Sequence, residues 1–212
     1  MTCAPVRVVL WDADGVLQRV PDGGEESMRP AVTGLVDDVD GFLAEAVLAE
    51  RPALTGEASW PDVLLGLLER WGVGPAFDRV LATWLSIEPV PTARALVAEA
   101  RAAGVDCRLA SNQAEQRARV MREQLGYDDL LDGAFYSCQL GVAKPDPAFF
   151  EKILRRLDVG AGEVLLFDDN PAHVESARSL GMCAEVWSCG EDVRQLRGHL
   201  LRHGALGRST SS

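Results

Sequence analysis

The chain lacks long apolar runs, since no window reaches the roughly 18 consecutive apolar residues that a membrane-spanning helix needs. It also lacks an excess of positive charge, because 32 Asp and Glu outnumber 21 Lys and Arg and give a net charge of -11. Nucleic acids and anionic membrane surfaces bind to basic patches. We therefore expect neither as a partner and expect a small molecule instead, while a local basic pocket could still take an anionic substrate.

Paired cysteine motifs are absent as well. The five cysteines are Cys3, Cys107, Cys138, Cys183 and Cys189. They form no CxxC pair and have no nearby histidine at zinc-site spacing, so we predict buried, reduced thiols. The first residues also show no charged leader followed by a sustained apolar core. These features predict a cytoplasmic protein, and nothing in the sequence indicates its oligomeric state.

Among the features that are present, short apolar runs alternate with helical patterns over much of the 212 residues. The predicted strands are 6–11, 105–110, 135–138, 164–167 and 183–187. Such alternation predicts an α/β protein with a parallel sheet of about five strands and helices on both faces.

A helical pattern interrupts this alternation after the first strand. In residues 18–88, Leu64, Leu67, Leu68 and Trp71 recur at helical spacing. We predict a core of residues 1–17 and 89–204, an all-helical insert over 18–88 and a disordered tail over 205–212. Packing alone explains the spacing of the tryptophans in the insert, which are predicted to be core residues.

The stretch 6–16, VRVVLWDADGV, ends a buried strand in two carboxylates, Asp12 and Asp14. Residues two apart on an extended backbone point to the same side. Two carboxylates about 4 Å apart repel by roughly 4 kcal/mol at an effective dielectric constant near 20, so a cation is expected beside them. An Asp-Gly turn without chemistry explains the same residues and remains an alternative at this point.

Other predicted strands also end in polar residues. Ser111 and Asn112 follow the second, Asp168 and Asp169 follow the fourth, and Lys144 follows the third. Ligands of open α/β sheets bind at this edge. The set supplies ligands for a hard cation, a carboxylate nucleophile, an acid or base and donors for an anion, as phosphoryl transfer requires.

Each of these residues also has a structural interpretation. Ser111, Asn112 and one aspartate of the pair are favoured helix N-caps, and most lysines are solvated. None of the three histidines, His173, His199 and His203, falls on a strand end, so we predict structural or solvent-exposed roles for them.

The chain resembles the haloacid dehalogenase-like (HAD) superfamily, in its phosphatase branch with a small helical, C1-type cap. The motifs that carry the resemblance are WDADGV, LASN, GVAKPDPAFF and LLFDDNPAHVESARSLGM, in this order. The resemblance implies a Rossmann-like core. It also implies a Mg²⁺-dependent hydrolase that acts on small phosphomonoesters through an aspartyl-phosphate.

By the same resemblance, Asp12 is the nucleophile and Asp14 the general acid and base. Ser111, Asn112 and Lys144 bind the phosphorylated substrate, and Ser111 and Lys144 count as catalytic. The Mg²⁺ ligands are Asp12, the main-chain carbonyl of Asp14, and the pair Asp168 and Asp169, with Asp169 favoured as the direct ligand.

Two alternatives stay open. A sugar phosphomutase of the same superfamily uses the same four motifs but protects its phosphoenzyme from water. A non-catalytic relative would only bind a ligand, and loss of Asp12 or Lys144 would have been its sign. Dehalogenation is disfavoured, because that branch lacks an acidic residue at the position of Asp14.

Overall fold

The computed structural model describes residues 6–21 and 28–207. Its strands are β1 (Val8–Trp11), β2 (Gln18–Arg19), β3 (Glu88–Pro89), β4 (Asp106–Ser111), β5 (Gly133–Tyr136), β6 (Val164–Asp168) and β7 (Cys183–Val186). Five of them form a parallel sheet in the order β5-β4-β1-β6-β7, with β1 at its centre. The remaining two, β2 and β3, pair antiparallel.

The helices follow in chain order. They are α1 (Arg29–Val32), α2 (Val39–Leu54), α3 (Trp60–Arg70), α4 (Phe77–Leu85), α5 (Pro91–Ala102), α6 (Glu115–Glu123), α7 (Tyr127–Leu130), α8 (Ser137–Leu140), α9 (Pro147–Leu157), α10 (Pro171–Ser179) and α11 (Val193–Arg202). None of the helices in the described part of the chain has the length and apolarity to cross a bilayer.

The central strand is apolar on both faces, which is why helices cover both sides of the sheet. Val9 and Trp11 face a core built with α5, α6 and α11, whereas Val8 and Leu10 face a second core built with α9 and α10. Trp11 stacks on Phe167 of the neighbouring strand, with ring centroids 5.0 Å apart. The predicted Rossmann-like sheet of five parallel strands is confirmed.

Helices α1 to α4 form what we call the helical segment, residues 28–85. It has its own apolar cluster, in which the rings of Trp60 and Trp84 lie 5.5 Å apart. The β2–β3 pair joins the chain where it enters and leaves this segment. The predicted core positions of Trp60 and Trp84 are correct, since both are buried.

Two sequence-based predictions differ from the structure. The tail was predicted to be disordered from residue 205, but Ala205 and Leu206 are buried, because a turn at Gly204 (φ 72°) brings the chain back onto α11; residues 208–212 lie outside the described residues. Reduced thiols were predicted throughout, but Cys183 is disulfide-bonded. Sequence spacing does not show which cysteines meet in space.

Three other cysteines, Cys107, Cys138 and Cys189, are free thiols as predicted. Cys107 is buried and the other two are half-buried. Cys3 lies outside the described residues.

Candidate active site

Three adjacent strands deliver polar groups to one edge of the sheet. Asp12 follows β1, Ser111 ends β4 and Asp168 ends β6, and all three residues are buried. The Asp12 amide donates to the carbonyl of Phe167 at 2.9 Å, which continues the strand pairing up to the carboxylate. Parallel strands end together, so residues far apart in sequence meet here.

The cation expected beside the carboxylates is Lys144. Its ammonium lies 3.0 Å from Asp12 Oδ1 and 2.5 Å from Asp168 Oδ2, and its side chain is fully buried. Burial alone would lower the pKa of Lys144, but the charges of Asp12 and Asp168 raise it, so the lysine stays charged. Lys144 is therefore not the solvated surface lysine of the alternative interpretation.

The loop that carries Lys144 is held by Asn112. The Asn112 side chain donates to the Lys144 carbonyl at 2.9 Å and accepts from the Lys144 amide at 2.8 Å. Both polar ends of this amide are thus engaged with the lysine backbone. This arrangement fixes the origin of the lysine side chain, while substrate binding by Asn112 stays a prediction.

Asp14 stands on the turn after β1, and three side chains surround its carboxylate. Gln18 donates to Oδ1 at 2.9 Å, Gln113 donates to Oδ2 at 2.6 Å, and Arg117 Nη1 lies 3.6 Å from Oδ2. Gln18 is itself anchored, because Tyr127 donates to its carbonyl oxygen at 2.9 Å. The first residue of the predicted insert, Gln18, is therefore buried and orients Asp14.

Sequence reasoning missed these partners of Asp14. Gln18 begins the stretch predicted as the helical insert, and Gln113 and Arg117 lie beyond the LASN motif. A helical projection of α6 could have indicated Arg117, which is buried on the apolar face of that helix beside Ala118 and Met121.

The two consecutive aspartates after β6 have different surroundings. Asp168 is fully engaged, since Oδ2 meets Lys144 and Oδ1 accepts from the Asn170 amide at 2.9 Å and lies 2.9 Å from His173 Nδ1. Burial alone would raise the pKa of Asp168, but Lys144 and His173 together outweigh burial and hold this pKa below its usual value. The Asp168 carboxylate therefore stays ionised. Burial and the charge of Asp168 raise the pKa of Asp169.

His173 was predicted to have a structural or solvent-exposed role because it does not fall on a strand end, but it lies at the candidate site. The ring contacts Asp168 and lines the cavity at the sheet edge. Helix α10 begins directly after the strand-end aspartates, with Asn170 as its N-cap, so its first turn faces the same edge. His199 and His203 instead contact Glu185, at 3.1 and 2.8 Å, which agrees with a structural role.

Gly15 leaves room for Asp169. Its φ is 74°, and an added Cβ would lie 2.0 Å from Asp169 Oδ2. Only a residue without a side chain lets this carboxylate approach the main chain that follows Asp14. The Asp169 carboxylate therefore lies next to the main chain of Asp14 and Gly15, where the resemblance predicts a carbonyl ligand of Mg²⁺.

The donor set suits a hard divalent cation. Asp12, Asp14, Asp168 and Asp169 bring four carboxylates to the edge, against two cations of the described residues, Lys144 and Arg117, and hard cations prefer oxygen ligands. Burial raises the pKa of Asp12, and Asp168 and Asp14 add to the rise while Lys144 opposes it. The site therefore has more negative charge than its own residues neutralise.

The described residues also contain a second candidate set of metal ligands, which combines two carboxylates with a histidine. Asp12, Asp168 and His173 each offer one ligand atom, and these atoms lie within 4.8 Å of one another. Asp168 and His173 already bond to each other, however, and Asp168 also binds Lys144. The carboxylate of Asp169 has no cationic side chain within 4.0 Å among the described residues.

A cavity of about 750 Å³ opens at this edge. Its floor includes Asp12, Asp14, Ser111, Asn112, Arg117, Asp169 and His173, and its other wall includes Met28, Leu43, Val47, Glu50 and Trp84 of the helical segment. Lys144 and Asp168 are not among the lining residues. The site therefore has an acidic floor and a largely apolar wall.

The family model of haloacid dehalogenase-like hydrolases matches residues 6–181, and the chain belongs to this family. Phosphatase MT3486 of Mycobacterium tuberculosis is 37% identical over 189 residues, which cover 84% of this chain and 86% of that protein. Phosphoglycolate phosphatase of Rhodospirillum rubrum is 33% identical over 206 residues, with 87% and 80% covered. These relatives indicate that the chain is a phosphatase enzyme.

Two further similarities are weaker, the first in coverage and the second in sequence identity. Sesquiterpene phosphatase astK of Aspergillus oryzae is 34% identical over 115 residues, which cover 51% of this chain and 58% of that protein, so the match spans little more than half of its length. A HAD family enzyme of Bacteroides thetaiotaomicron matches in structure with a TM-score of 0.77 at 18% identity, covering 92% and 99%. The structural match supports the fold.

Proposed function

We propose that the protein is a Mg²⁺-dependent phosphatase of small phosphomonoesters that works through an aspartyl-phosphate on Asp12. The observation that carries this proposal is the meeting of Asp12, Lys144 and Asp168 in one buried cluster, at the floor of a cavity lined by Asp14 and Ser111. A phosphoryl group bound there meets a nucleophile and an acid.

Asp12 is oriented for attack through one oxygen. Its Oδ1 accepts from the Ala13 amide at 2.7 Å and from Lys144 at 3.0 Å. No donor among the described residues bonds to Oδ2, which is left to form the bond to phosphorus. Splitting hydrolysis into two displacements on a carboxylate makes each step easier.

Asp14 handles the protons. As the ester P–O bond breaks, Asp14 gives its proton to the leaving oxygen, and it then takes one from the water that attacks the phosphoenzyme. The second step releases inorganic phosphate and regenerates Asp12. Gln18 and Gln113 hold the Asp14 carboxylate in a fixed orientation for both transfers.

Mg²⁺ would be held by carboxylate oxygens of Asp12 and Asp169 and by the main-chain carbonyl of Asp14, with Asp168 as an outer partner. When bound, the ion neutralises charge on the phosphoryl oxygens. Lys144 keeps Asp12 and Asp168 from repelling each other, and the Ser111 hydroxyl donates to a phosphoryl oxygen.

The helical segment serves as a cap over this site. It supplies the wall opposite the catalytic floor, and closing a wall over a phosphoenzyme limits the access of bulk water. A structure of the Bacteroides enzyme described above, in complex with magnesium and inorganic phosphate, has a TM-score of 0.74 to this chain. A magnesium ion suits the acidic floor of this site, and its charge would offset the repulsion between that floor and a phosphate. The relatives are named for different substrates, a sesquiterpene phosphate in one case and phosphoglycolate in another, so they do not define the leaving group for this chain.

The test is release of inorganic phosphate from an aryl phosphate and from small phosphomonoesters, with Mg²⁺ and with a chelator. We expect Mg²⁺-dependent release and a phosphorylated Asp12 on mass spectrometry of the quenched enzyme. Release that persists in the chelator would contradict the metal assignment. A phosphoryl group that reappears on another hydroxyl, with little free phosphate, would identify a phosphomutase instead.

A further inference from the structure

Arg117 is a buried cation that the proposed chemistry does not use. It is 8% exposed, and its Nε and Nη2 atoms are buried without a hydrogen-bond partner in the described part of the chain. Arginine cannot lose its proton, and leaving a buried donor unsatisfied costs about 1–3 kcal/mol. Because Arg117 lines the cavity, a ligand oxygen could satisfy these donors.

The helical segment supplies two residues beside this guanidinium. The guanidinium carbon lies 5.2 Å from the centre of the Trp84 ring. Trp84 also lowers the pKa of Glu50, and both residues line the cavity. Arg117, Trp84 and Glu50 therefore belong to one stretch of the cavity lining.

Glu50 and Arg117 do not form an ion pair with each other in the described part of the chain. Within 4.0 Å, the carboxylate that pairs with Arg117 among the described residues is Asp14, at 3.6 Å. Both residues nevertheless line the same cavity, and the charge of Arg117 lowers the pKa of Glu50. A ligand group that accepts a hydrogen bond from Arg117 and donates one to Glu50 fits between them.

The local charge limits the nature of that group. With Glu50 ionised, its negative charge already balances the positive charge of Arg117, so a second anion on the substrate gains no net attraction at this place. A neutral hydroxyl both accepts and donates, so it satisfies both sides.

We propose that Arg117, Glu50 and Trp84 form a subsite for a hydroxyl group on the leaving group of the phosphomonoester. The hydroxyl oxygen accepts from Arg117, its O–H donates to Glu50, and the adjoining carbons pack against Trp84 and Leu43. The subsite rests on the proposed phosphatase function and makes polyol or sugar phosphates the substrate class.

The experiment compares two substrate pairs at pH 8: glycerol 3-phosphate with propyl phosphate, and sorbitol 6-phosphate with hexyl phosphate. The readout is the ratio of kcat/KM within each pair. We expect the parent enzyme to prefer the hydroxylated member of at least one pair by about 10-fold or more, the size of one hydrogen bond to a charged group. Phosphoglycolate, which carries a second anion, should be a poorer substrate than that hydroxylated member.

The variant Glu50→Gln should reduce this ratio by about 10-fold, and Trp84→Phe, which removes the indole N–H, should reduce it by less. Glu45→Gln is the matched control, because Glu45 lies on the same helix as Glu50 and accepts from the Trp71 indole at 2.8 Å, but does not line the cavity. It should leave both ratios unchanged.

Three outcomes overturn the subsite while the phosphatase function stands: no preference within either pair, an equal loss on both members in Glu50→Gln, or a preference for phosphoglycolate. The equal loss would show that Glu50 only supports the fold. Failure to release phosphate from any ester, the aryl phosphate included, would overturn the proposed function and the subsite with it.

Discussion

The two walls of the cavity position their residues by different means. On the core wall, Asp12 and Ser111 lie at the ends of neighbouring parallel strands, so the sheet topology alone brings them together. On the wall of the helical segment, Glu50 and Trp84 lie within two separate helices. Their meeting depends on how those helices pack against each other and against α6.

This difference extends to charge. The core wall combines four carboxylates with Lys144 and Arg117, whereas the described part of the opposite wall offers one carboxyl, Glu50, among apolar side chains. A fixed, highly charged floor suits a chemical step that is the same for many esters. A wall of a few adjustable contacts suits discrimination among leaving groups. The predictions below test this division.

The largest effect is expected for Asp12→Asn. An amide of nearly equal size is a poor nucleophile, so kcat for an aryl phosphate should fall by about 10⁴-fold or more. Circular dichroism should be unchanged. Glu151→Gln, on the exposed side of α9, is the control and should keep the parent rate. Near-parental turnover in Asp12→Asn would show that the nucleophile is misassigned.

Lys144→Met should have the next largest effect, now on stability. It leaves Asp12 and Asp168 buried without their cation, which costs about 3–5 kcal/mol of unfolding free energy. Urea denaturation measures this loss. Lys152→Met removes a lysine that donates to the Leu140 carbonyl and should cost about 1 kcal/mol. Equal losses in the two variants would contradict a special role for the buried cluster.

The core wall is the part that the sequence predicts well. Apolar runs such as 6–11 mark strands buried on both faces, and the polar residue after each run marks its carboxyl end. Asp12, Ser111 and Asp168 follow from this rule. The cation expected from the repulsion of Asp12 and Asp14 is present as Lys144, although it pairs with Asp168 instead of Asp14.

The partners of Asp14 and the opposite wall could not be predicted in the same way. Gln18 is buried because it bonds to Asp14 and to Tyr127, which lies 109 residues further along the chain. No local pattern reveals such a contact. Glu50 lines the cavity from α2. The periodicity of that helix indicates which of its faces is apolar, but not which residues of other helices lie beside Glu50.

Gly15→Ala tests how closely the floor is fitted, with a smaller effect. The left-handed φ costs about 1–2 kcal/mol for alanine, and the new Cβ also displaces Asp169. We expect the Mg²⁺ concentration for half-maximal activity to rise by about 10-fold, roughly 1.4 kcal/mol. Gly104→Ala is matched in backbone, with φ 86° and nothing within 4 Å of the added Cβ, so it should lose stability alone. The same Mg²⁺ requirement in both variants would remove Asp169 from the metal site.

The smallest effect concerns the opposite wall and pH. Burial raises the pKa of Glu50 from 4.5 to about 7, the charge of Asp14 adds to the rise, and Arg117 and the Trp84 hydrogen bond oppose it. The folded protein therefore binds a proton that the unfolded chain has released, and stability falls as pH rises from about 4.5 to about 7.

Glu50→Gln should remove this part of the pH dependence. Because one pKa unit corresponds to about 1.4 kcal/mol, the variant should gain at least about 1 kcal/mol over the parent between pH 5 and pH 8, measured by urea denaturation. Glu45→Gln should show no such gain, because hydrogen bonds from Arg70 and Trp71 lower the pKa of Glu45. A pH-independent difference between Glu50→Gln and the parent would mean that Glu50 is ionised throughout this range. The opposite wall would then carry a fixed charge like the core wall, and the contrast between the two would reduce to the number of carboxylates.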